Sequence, residues 1–206
     1  MNKTNTFWFG ILGVLFFIVP SVLGGFQFEN YSHIQQFISE SYAIDTPYGI
    51  YLRLFGFLPS GVFIILFSMS AIKFLPKSNL LKIGLTGFAF FYGLGNIIVS
   101  VFPCDAGCNK ELINPSISHI IHIFSGAITY TFVPFCLFLI GVSANKWNNG
   151  KRMVILSVLC GAVAFLLSML LSINPTGQFI GLIQRGIEMS ILLWVTVFAF
   201  YIKKQK

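Results

Sequence analysis

Charge is the first thing this chain lacks. Of its 206 residues only 9% are charged, while 56% are hydrophobic and 17% aromatic, a balance outside the range of soluble globular domains. Histidines number three and cysteines four. That scarcity restricts metal chemistry: one Cys-x-x-x-Cys without a second pair is a weak zinc signal. It also restricts haem chemistry. His119 and His122 lie on adjacent turns and cannot clamp one haem from opposite faces, which leaves His33 as the only further histidine. There is no internal repeat and no low-complexity segment, and the length suits a single domain over 1–206.

What the chain has instead is long apolar runs. A helix needs roughly 20 apolar residues to cross a hydrocarbon core of about 30 Å. Six runs meet that need: Phe7–Leu23, Ile50–Ile72, Ile83–Val101, Ile117–Gly141, Met153–Ile173 and Phe179–Ile202. Backbone groups in lipid must be paired within their own segment, and runs this continuously apolar fit helices rather than alternating barrel strands. The predicted fold is an all-α integral membrane bundle of six transmembrane helices. The first run could alternatively be read as a signal peptide, but it lacks a clean small-x-small cleavage site and is long enough to span.

Basic residues set the orientation. Lys3, Lys73, Lys77, Lys82, Lys146, Lys151, Arg152, Lys203, Lys204 and Lys206 fall on one side, while all six acidic residues fall on the other side or in the outer part of a span. Both termini are therefore expected in the cytoplasm of a bacterial cell, with the protein in the plasma (inner) membrane. Inner loops run over 73–82 and 142–152, and outer loops over 26–47, 102–116 and 174–178. The net charge of +7 reports this topology, not nucleic-acid binding. In the first outer loop Tyr31, Ile34, Phe37 and Ile38 recur at helical spacing, predicting a short amphipathic helix that caps the bundle. Thr46 and Pro47 suit the N-cap and first turn of the second span, and Pro59 is expected to kink it.

Stripes of small and polar residues mark the faces that turn towards other helices. They are Gly93, Asn96 and Ser100 in the third run; Ser118, His122, Ser125 and Thr129 in the fourth; Ser157, Gly161, Ala164, Ser168 and Ser172 in the fifth; and Gly177, Gly181, Gln184 and Glu188 in the sixth. The strongly polar members of the third, fourth and sixth lie towards the outer ends, so a polar cavity opening outward is expected between them.

Chemistry concentrates in Phe102 to Tyr130. Cys104 and Cys108, four apart in an outer loop, are expected to form a disulfide. Cys136 and Cys160 lie within helices and read as small buried apolar residues. His119 and His122 sit about 60° apart around one helix axis. With Asp105 they could hold a divalent metal such as zinc, or equally could bond loop carbonyls at a polar helix end. Arg185 and Glu188, roughly 10 and 15 Å into the sixth run, are costly there and must face protein or water. Their i, i+3 spacing permits an ion pair that Gln184 could join. Arg53 adds a guanidinium near the outer start of the second run.

The segments YSHIQQFISES with the following DTP, GNIIVSVFPCDAGC with a downstream histidine and SGA, and GLIQR resemble a bacterial membrane family labelled only as a domain of unknown function, DUF998. The resemblance covers nearly the whole chain. It implies six spans, with Ser39, Glu40, Phe102, Pro103, Asp105, His119, His122, Gln184 and Arg185 as recurring polar and turn positions. It implies no reaction. More distantly, the GN, F, H and GA order in the third and fourth runs is similar to the damage-regulated autophagy modulator and Frag/Sfk-type six-span proteins, some of which are associated with lipid organisation.

The leading expectation is a module that binds or moves a lipid or amphiphile head group. Arg53 and Arg185 would hold an anion, and Asn96, Asp105, His119, His122, Gln184 and Glu188 would line the site. The competing expectation is a metal-dependent hydrolase at the outer leaflet, with Asp105, His119 and His122 as ligands and Glu188 as general base. A third is thiol exchange through Cys104 and Cys108.

Overall fold

The structure is a computed structural model describing residues 2–205. Six helices carry the fold: α1 (Lys3–Gln27), α2 (Gly49–Phe74), α3 (Asn79–Val101), α4 (Ile117–Ala144), α5 (Lys151–Ile173) and α6 (Ile180–Lys204). Each is long and apolar enough to cross a bilayer, and there is no strand among the described residues. The chain is a multi-pass membrane protein. Short connections at 75–78 and 145–150 leave consecutive helices little choice but to pack antiparallel. Each helix lies against its predecessor and successor, and α1 closes the ring on α6.

Lipid tails are as apolar as leucine, so hydrophobicity alone cannot say which face turns inward; close packing and interhelical hydrogen bonds must do that. Aromatic rings fill the centre of the ring of helices. Phe88 of α3 meets Trp194 of α6 with centroids 5.2 Å apart, and Phe67 of α2 meets Phe198 of α6 at 5.6 Å. Small polar groups then fix neighbours. Ser60 Oγ donates to Gly13 O at 2.7 Å, Thr129 Oγ1 to Phe91 O at 2.7 Å, and Trp194 Nε1 to Ser157 Oγ at 2.8 Å. At the α2–α3 contact a Cβ on Gly61 would stand 2.5 Å from the Gly93 carbonyl oxygen, so only glycine permits this approach.

Beside Pro59 the second helix departs from regular α geometry. The proline's missing N–H is accommodated by a wide π turn over Arg53–Phe57, immediately before the α-helical stretch that starts at Leu58. A second π turn spans Ala89–Leu94 in α3, and the bond from Thr129 satisfies the Phe91 carbonyl there.

The capping loop departs from expectation. His33 to Gln35 form a turn within an otherwise irregular stretch, and the short helix is a 3-10 helix displaced to Ile38–Tyr42. The physical reason is that α6 supplies partners that a local helix would otherwise provide. Leu182 N donates to Ile34 O, and Gln184 Oε1 accepts from Ile38 N at 2.7 Å. Thr46 is not a cap either. Its hydroxyl donates to Ala43 O, and α2 starts at Gly49, beyond Pro47.

Two ends are thereby defined. One carries the disulfide loop and the 28–48 loop; the other gathers Lys73, Lys77, Lys82, Lys146, Lys151, Arg152, Lys203 and Lys204. They are called the disulfide end and the lysine end below.

Candidate functional site

At the disulfide end the aromatic core gives way to a cavity of about 350 Å³. Its walls come mainly from α3, α4, α5 and α6, with Phe17 of α1, so α5 joins the three helices expected from sequence. The 3-10 segment covers it with Phe37, Ile38, Ser39 and Tyr42. Burial pushes the Tyr42 phenol well above its ordinary pKa, so it stays neutral.

The floor of the cavity is polar. Glu188, eight residues into α6 and so roughly 12 Å along it, is only 5% exposed. Its carboxylate accepts from Tyr92 Oη and from Tyr130 Oη, each at 2.7 Å. Gln184 Nε2 donates to the same Tyr130 oxygen at 3.1 Å, which links the floor through Gln184 to the lid. Sequence reading missed both tyrosines. The signal was present: Tyr92 precedes Asn96 and Ser100 at steps of four, and Tyr130 follows His122 and Gly126 at the same steps.

The expected ion pair between Arg185 and Glu188 does not form. Arg185 Nη2 donates to Tyr31 Oη at 2.8 Å, and Nη1 to His33 O and Gln36 O at 2.8 Å and to Gly181 O at 3.1 Å. A guanidinium fork suits this multiple capture of acceptors, and it wins over the carboxylate one turn away. Arg185 is thus a staple between lid and α6, outside the cavity lining. Arg53 is also outside it. Its Nε and Nη1 reach Gly49 O at 3.3 Å and Ser100 O at 3.4 Å. The two guanidinia expected to hold an anion are therefore engaged with protein oxygens.

Asp105, His119 and His122 likewise take separate roles. Asp105 Oδ2 accepts from Ser116 N at 2.9 Å, and the hydroxyl and amide of Ser116 hold its carboxyl below the usual carboxylate range. The Asp105 amide donates to His119 Nδ1 at 3.2 Å, so in the neutral ring the proton sits on Nε2. His122 Nδ1 lies 2.9 Å from Phe102 O and donates to it, leaving Nε2 as acceptor. No group of three or more histidine, cysteine or carboxylate side chains converges to hold a metal among the described residues. The carboxylate that the metal set required caps a loop instead.

The Cys104–Cys108 disulfide is formed, with Cα atoms 4.9 Å apart, and both sulfurs are buried beneath the lid. Cys108 Sγ lies 3.2 Å from Ser39 Oγ, and Cys104 O accepts from Ile44 N. Cys136 and Cys160 are free and buried, as expected. Beside the disulfide, Lys110 lines the cavity mouth and pairs with Glu40 at 2.8 Å.

Among the described residues, two side chains in the lining keep a buried polar atom without a protein partner: Asn96 Nδ2 and His119 Nε2. Buried donors left unpaired are costly, and native structures keep few of them.

The cavity also has a side. Towards the lysine end α4 and α5 are in close contact: Gly161 packs on Phe138, Gly141 on Ser157, and Phe135 on Phe165 with centroids 5.7 Å apart. Nearer the disulfide end the facing residues are Gly126, Ala127 and Thr131 on α4 and Ser168 and Ser172 on α5, all of them in the cavity lining. These side chains are too small to close the seam. A Cβ added at Gly126 would meet nothing within 4 Å, and Met169 at the edge is 52% exposed.

The model of the family described as "Protein of unknown function (DUF998)" matches residues 11–201, and the chain belongs to that family. No curated protein and no solved structure matches it.

Proposed function

We propose that this member of the DUF998 family binds an amphiphile, with the head group in the cavity above Glu188 and the hydrocarbon chain in the seam between α4 and α5. The reading takes the lysine end as cytoplasmic and the disulfide end as outside, in the bacterial inner membrane, from the distribution of basic residues. The observation that carries it is the conjunction of a polar floor with a seam of small side chains between two membrane-spanning helices, α4 and α5. A site for a soluble molecule would need only the end of the bundle. An opening between two spans connects the cavity with lipid instead. The size is suitable: ligand pockets typically occupy about 300–1,000 Å³. Asn96 Nδ2 and the His119 Nε2 proton supply donors for head-group oxygens, and Glu188 and His122 Nε2 supply acceptors.

Gly126→Trp tests this reading, because a Cβ at this position meets nothing within 4 Å and the indole it carries is expected to fill the seam. Native mass spectrometry of protein in mild detergent is expected to show a retained amphiphile on the wild type, reduced about tenfold in the variant, a loss equivalent to one RT ln 10 step. Equal retention in both, or a wild type that carries nothing, would count against the proposal.

A further inference from the structure

Among the described residues, Lys110 and Glu188 are the only lysine, arginine, aspartate or glutamate side chains in the cavity lining, and they are not alike in their partners. Lys110 is matched by Glu40 at 2.8 Å. Glu188 is met by two phenols and, among the described residues, by no cation. The nearest guanidinium in sequence, Arg185, spends its donors on Tyr31 and three carbonyls. Phenol donors at 2.7 Å orient a carboxylate and stabilise its charge, yet each oxygen keeps a lone pair, so a further donor can still approach. An ionisable group this deep in a span calls for a partner, and a cation is the one that would hold it as the carboxylate.

The surroundings favour a cation as that partner. Phe17, Tyr42, Tyr130 and Phe165 line the same cavity, and aromatic faces attract ammonium groups, most strongly where water is excluded. An anionic head group would instead meet Glu188 with both guanidinia engaged elsewhere.

We infer that the amphiphile is an amine: a protonated amino head group bound to Glu188 among these rings, with its chain in the α4–α5 seam. The inference rests on the amphiphile-binding reading and narrows it to one class. The carboxylate and the aromatic rings recognise the head group, and the seam recognises the chain.

The test compares four probes at neutral pH with wild-type protein in mild detergent: dodecylamine, dodecanol, dodecanoate and butylamine. Binding is read by native mass spectrometry and by the shift in melting temperature. Dodecylamine is expected to bind about tenfold or more tightly than dodecanol and dodecanoate, the scale of one charge-assisted hydrogen bond. Butylamine is expected to bind at least about tenfold more weakly than dodecylamine, since it has no chain for the seam. In Glu188→Gln, which keeps the shape and an acceptor oxygen, the preference for the amine is expected to vanish. The wild-type comparison stands alone if that variant does not fold.

Equal binding of dodecylamine and dodecanol, or an amine preference that survives Glu188→Gln, overturns the amine inference. If dodecanol or dodecanoate is the better ligand and Gly126→Trp abolishes its binding, the cavity still takes an amphiphile and only the head-group assignment fails. If no long-chain probe binds, both readings fail. If butylamine matches dodecylamine, the site belongs to a soluble amine and the chain assignment fails.

Discussion

Arg185→Met is expected to lower the melting temperature of the detergent-solubilised protein by roughly 10 °C, corresponding to about 3 kcal/mol for a chain of this length. Methionine fills most of the same volume but donates nothing. The carbonyls of His33 and Gln36 and the Tyr31 hydroxyl would each lose a charge-assisted donor, and the turn segment around them has no helix of its own to fall back on. Limited proteolysis is then expected to cut within residues 28–37 faster than in the wild type. Arg185→Lys is expected to restore little, because one ammonium cannot serve a set of acceptors spread over a fork. An unchanged melting temperature together with an intact loop would mean that the staple contributes nothing, and the lid would need another anchor.

Gly61→Val should be comparably severe, at about 3 kcal/mol, but for a steric reason. Its Cβ would stand 2.5 Å from the Gly93 carbonyl oxygen and 2.8 Å from Ile97 Cγ1. The first neighbour is backbone and cannot rotate away, so α2 and α3 must separate. Because the π turn of α3 and Asn96 lie beside this contact, separation is expected to disturb the cavity as well as the bundle. Gly126→Val provides the control, since a Cβ there meets nothing within 4 Å. Thermal unfolding followed by tryptophan fluorescence distinguishes the two: a large drop for Gly61→Val and little change for Gly126→Val. Equal melting of both variants would contradict the close-packed α2–α3 contact.

Much of the fold was legible because the bilayer leaves few solutions. A span must be apolar over a fixed length, and the six runs stand out from their polar connections. The boundaries shift in understandable ways. α3 starts at Asn79 rather than Ile83, because a polar first turn at the membrane surface adds helix without adding hydropathy. The disulfide was legible from spacing in a loop.

The partners of the polar side chains were harder to read. The i, i+3 rule correctly placed Arg185 and Glu188 near one another on α6 but could not show that each had better partners elsewhere. Those partners, Tyr31, Tyr92 and Tyr130, lie 154, 96 and 58 residues away from them in sequence, respectively. The same limit applies to Asp105. Local spacing suggested a set with His119 and His122, whereas the carboxylate turns to the Ser116 amide at the start of α4. Periodicity found the inward faces, but it carries no information about which inward group wins a shared partner. The 31–38 segment failed for a related reason: apolar spacing suggested a helix, and side chains from α6 captured its backbone first.

The most direct test of the central claim is photo-crosslinking in a bilayer with a lipid that carries a diazirine part-way along its acyl chain, read by peptide mass spectrometry. Binding in the seam predicts preferential labelling of Ile123, Ala127, Thr131 and Met169, and loss of that preference in Gly126→Trp. Labelling spread evenly over the exposed perimeter, with Phe55, Phe90 and Leu193 marked as strongly as the seam, would contradict it.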